Sequence, residues 1–108
     1  MDQEELISII ADWAKSEPLI REAYLFGSRA RGDHSPDSDV DIAVKMHKQP
    51  SDGSEYASWF FEADKLKERV QERISYPVQL EWYDPVETPH VHKGIVESSI
   101  KVYDENVT

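Results

Sequence analysis

The sequence predicts an α+β domain, a small mixed β-sheet flanked by helices, and three observations lead to it. Two long stretches repeat apolar residues every three or four positions, as one face of an amphipathic helix requires. Short apolar runs lie between them, alternating with polar residues or bounded by glycine or proline, as strands are. The chain has 108 residues and a mass of 12.5 kDa, which suits one core and therefore one domain over residues 1–108.

Taken in order, Leu6, Ile10 and Trp13 recur at helical spacing between Asp2 and Ser16, with Ile7 and Ala14 beside them. Asp2 followed by Glu5 offers a capping box at the start, and Pro18 closes the helix. Ala23 to Phe26 is a short apolar and aromatic run that stops at Gly27, the pattern of a buried strand. After a polar loop containing Gly32 and Pro36, Val40, Ile42 and Val44 alternate with Asp39 and Asp41. One face of that second strand is apolar and the other carries carboxylates.

Lys48 to Ser54 reads as loop, and Asp52 with Glu55 offers a second capping box. A long helix is expected from there to about Ser75. Its apolar stripe is Tyr56, Trp59, Phe60, Ala63, Leu66, Val70 and Ile74, and these residues are expected in the core. Pro77 opens a third strand in which Val78, Leu80 and Trp82 alternate with Gln79, Glu81 and Tyr83. The tail should hold a short helix from Val91 to Glu97 and a last strand from Ile100 to Tyr103. His90-Val91-His92 reads as a polar loop, with no third ligand beside it to make a metal site.

Composition narrows the function. Asp and Glu number 22 against 12 Lys and Arg, a formal net charge of -10. A face that grips a long polyanion is normally basic, so nucleic-acid binding is not expected. No cysteine is present, which removes disulfides, thiolate zinc sites and thiol redox chemistry. The longest apolar stretches fall well short of the ~20 residues that span a bilayer, and mean hydropathy is -0.65. The acidic opening Met1-Asp2-Gln3-Glu4-Glu5 is unlike the basic start of a secretory signal, so a cytoplasmic protein is expected.

The segment that carries chemistry runs from Leu25 to Val44. A buried strand enters Gly27-Ser28, where small residues let a ligand approach the backbone, and a short helix beginning there would aim free N–H groups at phosphate oxygens. The chain then returns to a strand on which Asp39 and Asp41, two residues apart, share a face. Neighbouring carboxylates repel unless a cation sits between them. Hard oxygens on one face are what Mg²⁺ requires when it also takes oxygens from a triphosphate. Arg29 and Arg31 are further candidates for phosphate oxygens. Arg31-Gly32-Asp33 spells an adhesion tripeptide, but inside this motif it is a coincidence.

With Gly27-Ser28-Arg29-Ala30-Arg31-Gly32, a short loop, and Ser38-Asp39-Val40-Asp41-Ile42-Ala43-Val44 in place, the chain resembles the nucleotidyltransferase superfamily of DNA polymerase beta. It is most similar to the small minimal nucleotidyltransferases. The resemblance implies the nucleotidyltransferase fold, with Gly27 and Ser28 holding a triphosphate, ATP above others, and Asp39 and Asp41 holding Mg²⁺. That family supplies a third carboxylate from a later strand inside an apolar run. Aligning that run on Val78 puts Gln79 at its position, and an amide is neither an anionic ligand nor a base. Glu81 lies on the same face as Gln79, displaced by about 7 Å along the strand, and is expected to serve instead as catalytic and metal-binding group.

The reaction implied is transfer of a nucleoside monophosphate to a hydroxyl with release of pyrophosphate. Such proteins pair with helical HEPN partners as antitoxin and toxin, so a partner tyrosine is an implied acceptor. The alternative is an inactive, antitoxin-like module that neutralises its partner by contact. A third reading, transfer to a small molecule, lacks a second domain to form the acceptor pocket unless a partner or an oligomer supplies it.

Overall fold

Asp2 begins the first helix by accepting the Glu5 amide at 2.8 Å. Helix α1 (Gln3–Ser16) buries Leu6, Ile10, Trp13 and Ala14 on one side. The structure, a computed structural model, describes residues 1–107. Beyond α1 the chain runs β1 (Ile20–Phe26), α2 (Ser28–Arg31), β2 (Val40–Met46), α3 (Glu55–Gln71), β3 (Val78–Trp82), α4 (Pro89–Glu97) and β4 (Ser99–Asp104).

The four strands form one sheet in the order β3-β2-β1-β4. Strand β1 pairs antiparallel with β2 and β4, whereas β2 and β3 are parallel and joined across the sheet by α3. This is the mixed α+β sheet expected. One sheet face supplies Leu25, Val40, Ile42, Val44 and Val78 to a core closed by α1 and α3 through Leu6, Ile10, Trp13, Leu66 and Val70. The other face carries a smaller cluster of Tyr24, Ala43 and Tyr83, covered by Val91 and Ile95 of α4. Gly94 lets α4 settle there, since a methyl group on it would lie 3.2 Å from the Phe26 ring.

Strand β1 starts at Ile20 rather than Ala23, because the ladder extends to an Ile20–Met46 pair. The polar Arg21-Glu22 step that hid this start in the sequence is compatible with a strand, since Glu22 meets Lys45 and Lys101 on the polar face. Helix α3 ends at Gln71, not Ser75. The Gln71 side-chain amide donates to the Ile74 and Tyr76 carbonyls and accepts the Val78 amide at 2.9 Å, replacing helical bonds and leading into β3.

The start of α3 departs further from expectation. Ser54, not Asp52, caps it by accepting the Ala57 amide at 3.0 Å, while Asp52 accepts from the Ser58 hydroxyl. Leu66 and Val70 are buried as expected, but Tyr56 and Phe60 are exposed. Leu66 and Val70 reach into the core, whereas Tyr56 meets the sheet only through the ring of Trp82. His90 and His92 also lie in a helix rather than a loop. Pro89 stands at its first turn, where the missing N–H costs nothing.

Candidate active site

Strand β1 delivers the chain to Gly27, which turns it with φ of +73°, a conformation side-chain-bearing residues rarely adopt. A Cβ added there would lie 2.5 Å from Asp41 Oδ2. The Gly27 backbone is therefore packed directly against the Asp41 carboxylate. Helix α2 follows for one turn and stops at Gly32, whose left-handed backbone lets its N–H reach the Ser28 carbonyl at 2.9 Å.

Arg29 and Arg31 have separate surroundings. Arg29 is only 2% exposed, its guanidinium lies 4.0 Å from the centre of the Tyr76 ring, and it donates to the Ser38 carbonyl at 2.8 and 3.1 Å. A longer bond reaches the Pro36 carbonyl. It fastens the loop immediately before Asp39. Arg31 is about half exposed and pairs with Asp33 at 3.0 Å.

Asp39 leads into β2 and Asp41 lies within it, level with Phe26 on one side and Gln79 on the other. Glu81 is level with Ala43, one pleat along, on the face that carries Asp41. These groups sense one another. The Asp41 carboxyl is pushed up from the usual carboxylate range, first by burial and then by the charges of Asp39 and Glu81, with Arg31 opposing. Gln79 sits directly beside Asp41 in the ladder and its side-chain amide donates to Asp39 Oδ2 at 3.4 Å.

An open cleft of about 360 Å³ is lined by Phe26, Asp41, Gln79, Glu81, His90 and Val91. Sequence reading missed Phe26, His90 and Val91 as part of the site, because the last two arrive from α4 and no local pattern ties that helix to the aspartates. His92 turns elsewhere, bonding through Nδ1 to the Tyr83 hydroxyl at 2.7 Å.

Among the described residues, no three acidic or imidazole groups stand close enough to enclose a metal ion. What the site does offer is a pair of hard oxygen donors, Asp39 and Asp41, the second of them half-buried and with its ionisation opposed by its surroundings. A divalent cation held by that pair would relieve the repulsion and keep open coordination positions for phosphate oxygens and water.

Residues 8–108 match the model of the family described as polymerase beta, nucleotidyltransferase. This chain belongs to that nucleotidyltransferase family. A Methanocaldococcus jannaschii relative with the provisional name protein adenylyltransferase is 33% identical over 88 residues, covering 82% of each chain. Two solved structures share the fold. A toxin–antitoxin complex with AMP-PNP superposes at a TM-score of 0.62 with 19% identity, covering 99% of this nucleotidyltransferase and 77% of that chain. A mutant of the MntA-HpeT toxin–antitoxin superposes at 0.61 with 17% identity, covering the same shares. Among the described residues, no helix of the nucleotidyltransferase is long and apolar enough to cross a membrane.

Proposed function

We propose that this nucleotidyltransferase transfers AMP from ATP to a hydroxyl group on a protein partner, a tyrosine of a HEPN-type toxin being the acceptor that the resemblance to minimal nucleotidyltransferases implies. The observation that carries this reading is the Asp41 carboxylate, seated against the Gly27 backbone, within reach of the Asp39 charge and sharing one cleft with Glu81. The provisional name of the archaeal relative supports adenylyl transfer to protein, and the solved toxin–antitoxin complexes support the partner class.

Asp39 and Asp41 would hold Mg²⁺. Bound there, Mg²⁺ would neutralise triphosphate charge and polarise the α-phosphoryl group. Gly27, which carries no side chain, and the Ser28 hydroxyl present a close-approach surface to the phosphate oxygens, and Arg31 is free to swing from Asp33 onto them. Arg29 acts as a positioning residue, since its donors are committed to the loop carbonyls. Glu81 takes the proton of the acceptor hydroxyl. The acceptor oxygen bonds to the α-phosphorus as the bond to the bridging oxygen breaks, and pyrophosphate leaves with that electron pair.

Purified protein incubated with Mg²⁺, α-labelled ATP and a HEPN-type partner protein should label that partner, and Asp39→Asn or Asp41→Asn should abolish the label. Label that persists in both variants would overturn the assignment. A second reading has its own observation. Gln79 occupies the ladder position beside Asp41 and donates to Asp39, so the chain could neutralise a partner by contact without transfer. Under that reading both variants still neutralise the toxin.

A further inference from the structure

The aromatic end of α3 has no cover. Phe60 and Phe61 are 66% and 65% exposed and Tyr56 is 52% exposed. Their rings form a continuous row with Trp82, at centroid separations of 5.2 Å for Trp82–Tyr56, 6.5 Å for Tyr56–Phe60 and 5.6 Å for Phe60–Phe61. Beside the row lies a groove of about 580 Å³, lined in part by Glu55, Tyr56, Trp82, Asp84 and Glu87. It is larger than the cleft beside Asp41 and Glu81, and the proposed transfer site does not use it, because Trp82 projects to the sheet face opposite Glu81.

Charge indicates what fits there. From Gln49 to Asp64 the chain holds Asp52, Glu55, Glu62 and Asp64 and no Lys or Arg, and from Tyr83 to Val91 it holds Asp84 and Glu87 and again none. Lys48, at the edge, is folded back onto the Gln49 and Asp52 carbonyls. Exposed aromatic patches rimmed by polar residues mark protein contact sites. A second copy of this chain would bring the same net charge of -10 against the acidic rim, which opposes self-association. A strand added to the edge of β3 would lie in the plane of the sheet and leave the rings on α3 bare.

We propose that this surface docks a cationic amphipathic helix of a partner protein. Its apolar side chains would pack along the Trp82–Tyr56–Phe60–Phe61 row, and its flanking Lys and Arg would meet Glu55, Asp84 and Glu87 and the faces of the rings. The docking does not rest on the transfer reading, since no nucleotide-site residue takes part.

The test uses the whole protein and a fluorescein-labelled 18-residue helical peptide with leucines at three- and four-residue spacing and Lys and Arg on its flanks. Two control peptides replace the Lys and Arg by Glu or scramble the order to destroy the apolar face. Anisotropy titration should show binding of the first peptide alone. Phe60→Ser with Phe61→Ser, and separately Glu55→Lys with Glu87→Lys, should each weaken it at least tenfold while the circular dichroism spectrum and melting temperature hold. Equal binding of the scrambled or acidic peptide, or insensitivity to the Phe60 and Phe61 changes, would overturn the proposal. So would a peptide-free dimer in sedimentation that the Phe60 and Phe61 changes dissolve, because the surface would then belong to a second copy.

Discussion

At the scale of single residues, Gly27 and Asp41 are one design. The glycine is required twice, by its positive φ and by the 2.5 Å approach of the Asp41 carboxylate to any Cβ. Gly27→Ala should therefore cost about 1–3 kcal/mol of stability and displace Asp41, so that thermal denaturation and the labelling assay fall together. Asp41 itself is under electrostatic load. Its folded carboxyl is pushed above the ordinary 3.8 by burial and by Asp39 and Glu81, so folding binds its proton more tightly than the unfolded chain does. Stability from this group is present below its ordinary value and is lost as pH rises through the raised one. Asp41→Asn should raise the melting temperature of the metal-free protein at neutral pH, and the gain should vanish below pH 3.8. A neutral-pH melting temperature that falls instead would show that the charge is already compensated. The sequence spacing shows Asp39 and Asp41 sharing a face, but not the contact of Gly27 with Asp41, which joins two strands.

At the scale of elements, the buried Glu17 just beyond α1 is tied to Arg69 of α3 by bonds of 2.6 and 2.9 Å. Glu17 is only 7% exposed, so removing its partner strands a carboxylate away from water. Arg69→Met should cost about 2 kcal/mol, and removing the stranded charge through Glu17→Gln in the same chain should recover part of it in a denaturant titration. Nothing local in the sequence announced this pair, whose members are 52 positions apart. The helices themselves were legible because their stripes are set by the chain's own period. The exception is instructive. Tyr56, Phe60 and Leu66 belong to one stripe, yet only Leu66 is buried in the core, and periodicity cannot say where a neighbouring layer ends.

At the scale of the whole molecule, the sheet brings Asp39 and Asp41 of one segment beside Gln79 and Glu81 of another, and α4 closes the cleft with His90. A ligand that binds this folded arrangement and not the unfolded chain must raise stability. Mg²⁺ with a non-hydrolysable ATP analogue at a hundredfold over its dissociation constant should add about 2.7 kcal/mol, and so about 10 °C or more in melting temperature. The Asp39→Asn, Asp41→Asn double variant should show no such shift. The sequence by itself determined the motif, the alternation that puts the aspartates on one face, and most of the elements, because each depends on residues within a turn or a strand of one another. The tertiary structure alone decided that Arg29 is buried against Tyr76, that Gln79 lies beside Asp41, and that the α3 aromatics stay bare. Each of these depends on which element packs next to which, and that is set by burial summed over the whole core rather than by any local pattern.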